Sequence, residues 1–84
     1  MTLRVLVSPG PGRLRLLPPL RFENGFEMVS RGQPVARLEQ GRQDVILRSP
    51  VEGRVTAVLG LEGEPVIAGQ AVMEIVEIGP ELAS

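Results

Sequence analysis

The side chains that could do chemistry in this sequence are of few kinds. Its 84 residues include nine Arg and ten Asp or Glu, but no Lys, His or Cys. Without Cys there is no thiolate nucleophile, disulfide or zinc–thiolate site. Without His, the usual general base and the commonest metal ligand are missing. Apart from the N-terminal amine, the chain offers no primary amine for an amide-linked cofactor, and we expect no metal site.

The acids Glu62 and Glu64 are close enough in sequence to be considered for acid–base catalysis. They lie in the turn LEGE, where acids are ordinary solvated residues. Nothing nearby in the sequence supplies an electrophile or a nucleophile. We therefore expect the chain not to be an enzyme.

A second group of charges surrounds a Gly-Arg pair in the stretch LEQGRQDVILRSP. With Gly41 and Arg42 as the central residues of a hairpin, Glu39 faces Asp44, and Gly at the first central position suits a type II′ turn. Facing acids repel by about a few tenths of a kcal/mol unless a cation lies between them, and Arg42 is the nearest candidate. The turn is then either a solvated one whose arginine relieves two acids, or a recognition tip for a protein partner. The residues of this candidate tip are Glu39, Gln40, Gly41, Arg42, Gln43 and Asp44.

An internal repeat supplies the elements that position this tip. Residues 8–39 and 49–77 each open with Ser-Pro-x-x-Gly-Arg and an aliphatic residue. Each then carries a strand, a Gly-containing turn, a Gly-Gln pair and a closing strand. Two copies are too few for a stacked solenoid, so we expect them to form one core related by a quasi-twofold axis. The hairpin at residues 40–43 joins them.

The distribution of Gly and Pro predicts an all-β domain. Apolar runs rich in Val, Ile and Leu are short and repeatedly interrupted by Gly or Pro, as in proteins built of short strands. Asn24-Gly25 is a strong hairpin signal, because both residues tolerate positive φ. We expect about eight short strands in two sheets and essentially no helix. The apolar residues of AVMEIVEI, at residues 71–78, indicate either a homodimer edge or a core strand buried on both faces.

Length and charge limit the remaining classes. A chain of 84 residues makes one domain, 1–84, with one modest core. No apolar run approaches the ~18 residues that a membrane span needs, and the first residues break too early for a secretory signal. We expect a cytoplasmic protein with no membrane partner. A pI of about 5.4 and only two aromatic residues argue against nucleic acid as a partner.

The charge is distributed unevenly along the chain. Residues 1–37 carry a net charge of +4 and residues 38–84 a net charge of −5. Opposite charges of this kind can attract each other within the fold or orient a partner. The alternative is a surface that is merely solvated.

The order of these motifs resembles the biotinyl/lipoyl carrier domains. RSPVEGRV (residues 48–55) and VIAGQAVMEIVE (residues 66–77) are the most specific pieces, and the resemblance is strongest over residues 32–77. It implies a barrel-sandwich hybrid, a flattened β-barrel of two four-stranded sheets with quasi-twofold symmetry. The repeat by itself predicts the same arrangement.

The resemblance also implies a lysine at the hairpin tip, to which a dedicated ligase attaches biotin or lipoate. Eight residues before the Pro of Ser-Pro, that position holds Arg42 in this chain. The biotinyl pattern Glu-Ala-Met-Lys-Met becomes Glu-Gln-Gly-Arg-Gln, so Glu39 is retained while both Met positions are lost. A guanidinium with a pKa above about 12 is protonated and a poor nucleophile. We therefore expect no covalent cofactor.

The sequence leaves more than one functional class open. We expect a non-catalytic module without a covalent cofactor, acting through an unknown protein partner or as a degenerate relative of a carrier. One alternative is a working carrier domain of a multienzyme complex. Another is a fragment of a transport adaptor, a class that splits the two halves with a long helical hairpin. Only two residues stand at that place here, and from the final GPELAS we expect no continuation of the chain.

Overall fold

The computed structural model describes residues 2–78, which form nine β-strands and no helix. None of these residues belongs to a helix that could cross a membrane. The all-β prediction is confirmed, while residues 1 and 79–84 of the predicted single domain lie outside the described part. The strands are β1 (Thr2–Val7), β2 (Gly12–Leu16), β3 (Phe22–Glu23), β4 (Phe26–Val29), β5 (Pro34–Gln40), β6 (Gln43–Arg48), β7 (Gly53–Val58), β8 (Pro65–Val66) and β9 (Ala71–Glu77).

The strands form two antiparallel sheets that mix the two halves of the sequence. The first sheet has the order β1-β9-β7-β4-β3 and the second the order β6-β5-β2-β8. Strands β1, β9, β7 and β4 occupy the same places in the first sheet as β6, β5, β2 and β8 in the second. This is the expected barrel-sandwich hybrid with quasi-twofold symmetry.

The first sheet has one strand more than the expected four. The extra strand is β3, which pairs with β4 through the Asn24-Gly25 turn. Both turn residues have positive φ, 53° and 84°, as a type I′ turn requires. The hairpin prediction is therefore confirmed. The structure thus has nine strands where about eight were expected, and the first sheet has five rather than four, because the longer first copy of the repeat has room for this added strand.

The Ser-Pro and Gly-Gln motifs bind the two halves to each other. The Ser8 amide donates to the carbonyl of Gln70 (2.9 Å), and the Gly69 amide donates to the carbonyl of Ser8 (2.7 Å). The same bonds recur in the other half: Ser49 donates to the carbonyl of Gln33 (2.9 Å) and accepts from the amide of Gly32 (2.8 Å). Each corner thus pairs with the Gly-Gln turn of the opposite repeat.

The glycine of each Ser-Pro-x-x-Gly motif lies against a neighbouring strand. A Cβ on Gly53 would come within 2.3 Å of the Val76 carbonyl oxygen, and one on Gly12 within 2.7 Å of the Glu39 carbonyl oxygen. Neither space admits a side chain. The repeated glycine is thus explained by close backbone approach, which only Gly allows.

The core lies between the two sheets and draws on both halves. Its buried residues are almost all aliphatic: Leu14, Val29, Val35, Ala36, Leu38, Leu47, Val51, Val55, Val66, Val72, Met73 and Ile75. Strand β9 contributes three of them and lies between β1 and β7. AVMEIVEI is therefore a core strand rather than an edge, and a dimer through that strand's edge is excluded.

Candidate functional site

The hairpin tip is a regular two-residue turn between β5 and β6. Gln40 pairs with Gln43 and Glu39 with Asp44, as the sequence predicted. Gly41 has a φ of 64°, while Arg42 is not among the residues with positive φ, a combination that fits a type II′ turn. The six tip residues therefore come together as expected.

The cation between the two facing acids is Arg37 and not Arg42. Arg37 lies two residues before Glu39 on β5, so both side chains point to the same face of the sheet. Its Nη2 is 3.5 Å from Glu39 Oε2 and its Nε is 3.4 Å from Asp44 Oδ2. The prediction that Arg42 relieves these acids is wrong, because a partner on the strand itself reaches both of them.

This ion pairing extends across the outer face of the second sheet. Arg15 on β2 lies 3.3 Å from Glu39 Oε1 and 3.2 Å from Glu62 Oε2. Arg15 and Arg37 are directly opposite each other on β2 and β5, so their mutual repulsion is offset by the acid that both contact. The series of charges alternates in sign from Asp44 to Glu62.

Glu62 is the last member of this ion-pair network. Its carboxylate accepts hydrogen bonds from the Leu16 amide (2.7 Å) and from Arg15 Nη1 (3.2 Å). These bonds, the backbone one first, hold the pKa of Glu62 below its usual value. The hydrogen bond to Glu62 and, second, the negative charge of Glu39 raise the pKa of Arg15.

Arg42 is exposed at the apex of the turn. Among residues 2–78 no ion pair or side-chain hydrogen bond involves it. The tip beneath it is anchored, since Gln40 Nε2 donates to the Pro11 carbonyl (2.9 Å). A positively charged group is thus held at the end of a fixed hairpin.

Two of the open cavities among the described residues lie away from the tip. One, of about 220 Å³, is lined by Phe26, Met28 and Arg54 among others, and the Arg54 guanidinium lies 4.6 Å from the centroid of the Phe26 ring. The other, of about 190 Å³, is mainly apolar and includes Glu27. Burial there raises the pKa of the Glu27 carboxyl.

Within the described part of the chain, no three His, Cys, Asp or Glu side chains lie close enough together to hold a metal ion.

Sequence reasoning missed Arg15 and Arg37 as partners of the tip acids. The signal was present in the two-residue periodicity: Arg37 and Glu39 alternate with buried Leu38, and Arg15 follows buried Leu14. Pairing the two strands in register would have brought these charges together. Within the turn itself Arg42 is the nearest cation in sequence, whereas Arg37 and Arg15 lie on β5 and β2.

One comparison with known proteins finds a match and another does not. The sequence model of the Biotin_lipoyl family, described as "Biotin-requiring enzyme", matches residues 20–75, which is two thirds of the chain. The match includes the whole hairpin tip and runs from β3 into β9. None of the curated proteins compared with the chain matches it.

The matched span and the architecture agree with each other. Residues 20–75 contain the hairpin and most of both sheets, and these form two antiparallel sheets related by quasi-twofold symmetry. The fold and the family match therefore lead to the same assignment. The chain belongs to the biotinyl/lipoyl domain family.

Proposed function

We propose that this chain is a non-catalytic biotinyl/lipoyl-type module that carries no covalent cofactor and binds a protein partner through its hairpin tip. The observation that supports it most is the state of Arg42. This guanidinium is exposed at the apex of the hairpin, while Arg15 and Arg37 already neutralise the tip acids. A charge that the fold does not need is available for a partner.

The chemistry of the tip does not fit an amide-linked biotin or lipoyl group. Acylation by a ligase needs a neutral amine that attacks an acyl-adenylate, and this chain has no Lys at any position. A guanidinium stays protonated and delocalises its lone pairs. Arg42 thus keeps the positive charge that the resemblance expects there, in a form that cannot be acylated.

The tip is suited to bind as a preformed surface. The β5–β6 ladder fixes the backbone of the tip. The hydrogen bond from the Gln40 side chain to the Pro11 carbonyl attaches the tip to the neighbouring loop. A rigid binding element loses little conformational entropy when a partner associates. Arg42 can donate a bidentate pair of hydrogen bonds to a carboxylate, so we propose a partner that presents an acidic residue.

We propose a non-catalytic module because the candidate acid Glu62 is already bound within the chain. Glu62 is held as an ionised hydrogen-bond acceptor by Arg15 and by the Leu16 amide. General acid–base catalysis needs a group whose pKa lies near the working pH, and the pKa of Glu62 is displaced downward. Its role in this account is to join the second sheet to the turn at residues 61–64.

The first test compares Arg42→Ala with a matched variant in partner capture. Arg31 is also an exposed arginine, but it lies next to a Gly-Gln turn and away from the tip. We expect a partner captured by the wild type to be retained by Arg31→Ala and lost by Arg42→Ala, with unchanged thermal stability for both. The direct interaction is then measured with the purified partner.

A tenfold or greater loss of affinity is expected for Arg42→Ala, because breaking one charged hydrogen-bonded pair costs about 1.5–3 kcal/mol. Equal capture by Arg42→Ala and the wild type would contradict the proposed tip. Equal loss in both arginine variants would point to net charge rather than to the hairpin.

A further inference from the structure

The open edge of β1 is the least protected sheet edge among the described residues. Each sheet has two edge strands, which are β1 and β3 in one and β6 and β8 in the other. Strands β3 and β8 have only two residues each, and β8 begins with Pro65, which has no amide hydrogen to donate. Short edges and prolines prevent pairing with another chain. Only β1 and β6, with six residues each, are long enough for a new ladder.

The two long edges are quasi-equivalent in place but opposite in chemistry. Counted back from Ser8 and from Ser49, Val5 corresponds to Ile46. The flanking outward positions hold Leu3 and Val7 on β1, but Asp44 and Arg48 on β6. Charged side chains on an edge keep it from pairing with other chains. The first sheet lacks this protection.

The outward side chains of β1 form an exposed apolar row. Leu3, Val5 and Val7 are exposed by 54%, 47% and 45%. On β6 the charges are already engaged within the chain, since Asp44 pairs with Arg37 and Arg48 donates to the Gly32 carbonyl. Strand β1 thus combines unpaired backbone groups with apolar side chains.

The apolar surface continues from the edge onto the outer face of the first sheet. Leu3 is opposite Val76, and Val76 is opposite Arg54. Arg54 in turn lies over the ring of Phe26. Phe26 and the nearby Ile78 are exposed by 43% and 42%. A partner strand added to β1 would therefore shield more than the edge alone.

We propose that two copies of this chain pair through β1 in an antiparallel ladder centred on Val5. The twofold axis lies normal to the sheet, so that the two five-stranded sheets join into one of ten. In this register Val5 faces Val5, Leu3 faces Val7, and Arg4 faces Leu6. Because none of these residues belongs to the tip, the dimer does not depend on the proposed tip function.

The Val5 register follows from the strand's own sequence. A ladder centred on Arg4 would place two arginines opposite each other, which is destabilising. A ladder centred on Leu6 would extend into Pro9, which cannot donate to a ladder. A ladder whose centre falls between two neighbouring residues would pair outward-facing with inward-facing positions. It would place the outer face of one copy beside the core face of the other. Centring on Val5 avoids all three problems and pairs apolar side chains along the whole outer row.

Single cysteines test this register directly, because the chain has no Cys of its own. Facing residues in an antiparallel pair have Cα atoms about 4.5–5.5 Å apart, within reach of a disulfide. The two Leu3 residues would be four positions apart along the ladder, or about 14 Å. Under mild oxidation we expect Val5→Cys to form a covalent dimer about tenfold or more faster than Leu3→Cys, since pairing raises the effective concentration.

The matched control for Val5→Cys is Ile46→Cys, the quasi-equivalent position on the other long edge, with a similar exposure of 41%. We expect no enhanced cross-linking there. Sedimentation of the wild type should show a dimer fraction that rises with concentration, and Val5→Lys should remove it while Ile46→Lys does not.

Two results would overturn the dimer. The first is equal cross-linking rates for Val5→Cys, Leu3→Cys and Ile46→Cys, which is the behaviour of random collision. The second is a wild type that sediments as a monomer at every concentration. Circular dichroism of each variant establishes that it is folded, so that loss of the dimer is not mistaken for loss of the fold.

Discussion

Arg42 and its neighbours show how the role of one charged residue depends on which acids are already paired. Glu39 and Asp44 are the acids nearest to it along the chain, yet both are neutralised by Arg37. Exposed ion pairs of this kind contribute about 0–1 kcal/mol each to stability. Their main effect is therefore on the distribution of charge over the outer face of the second sheet. They leave Arg42 as a positive group at the apex without an ion pair among residues 2–78, and the proposed tip function depends on this group.

A second residue, Glu27, gives a prediction about pH. Burial raises its pKa, so the folded chain binds more protons than the unfolded chain between the usual Glu value and the raised one. The contribution of Glu27 to stability is therefore fully present below this window and is lost as the pH rises through it. We expect Glu27→Gln to raise the free energy of unfolding at pH 7 by about a few tenths of a kcal/mol, after allowance for its partial exposure.

The measurement is denaturant unfolding of Glu27→Gln and the wild type at pH 4 and pH 7. The gain at pH 7 should shrink at pH 4, where the carboxyl is mostly neutral. Glu52→Gln, at an exposed position without an ion pair among residues 2–78, is the control and should be neutral at both. A gain for Glu27→Gln that is the same at both pH values would contradict a desolvated carboxyl.

Among the elements, the hairpin and the Ser-Pro-x-x-Gly corner are the ones that local sequence determines most directly. The β5–β6 register could be predicted because a Gly at the first central position fixes a two-residue turn, and the turn fixes every pair behind it. The extra strand β3 could not, because two residues between Pro-rich and Asn-Gly segments carry no periodicity. Of the partners of Glu39, Arg37 lies on the same strand, whereas Arg15 is brought to it only by the pairing of β2 with β5.

The corner glycine gives a prediction that separates crowding from backbone conformation. Gly53→Ala would push a Cβ into the Val76 carbonyl, and overpacking of this kind costs about 1–3 kcal/mol. Gly32 has a positive φ but nothing within 4 Å of its Cβ position. Because Asn adopts positive φ more readily than most residues, we expect Gly32→Asn to cost less than Gly53→Ala.

Thermal unfolding of the two variants checks this order. Gly12→Ala, the quasi-equivalent of Gly53→Ala, should lower the melting temperature in the same way, since its Cβ would meet the Glu39 carbonyl. A Gly53→Ala protein as stable as the wild type would show that β7 and β9 can separate without cost.

In the whole molecule, the two halves of the chain are not separate units, because each sheet contains strands from both. Five of the six ion pairs among residues 2–78 join an arginine of the positive segment, residues 1–37, to an acid of the negative segment, residues 38–84. The opposite charges of the two chain segments therefore meet within the fold, the alternative that the sequence left open beside a merely solvated surface. Neither half has a complete sheet without strands from the other.

The buried serines of the two corners test this mutual dependence. Ser8 and Ser49 are 1% and 2% exposed, and their hydroxyls donate to the carbonyls of Gly10 and Val51 at 2.6 Å. Leaving such a carbonyl unpaired costs about 1–3 kcal/mol. We expect Ser8→Ala and Ser49→Ala each to lower the free energy of unfolding by about this amount, in a single cooperative transition.

The control is Ser30→Ala, at an exposed position, which should change stability by no more than about 0.5 kcal/mol. Separate transitions for Ser8→Ala and Ser49→Ala, or a loss in only one of them, would mean that the halves fold as independent units.

This chain has the fold of the biotinyl/lipoyl domains but no lysine amine to accept a cofactor. Intact-mass measurement tests this most directly, after co-expression with a biotin ligase and, separately, with a lipoyl ligase. Arg42→Lys is measured alongside, since it restores an amine on a hairpin whose register is unchanged, and we expect part of that protein to gain the ligase's adduct. The wild type should keep its unmodified mass with both ligases, whereas a biotinyl or lipoyl adduct on the wild type would contradict the account.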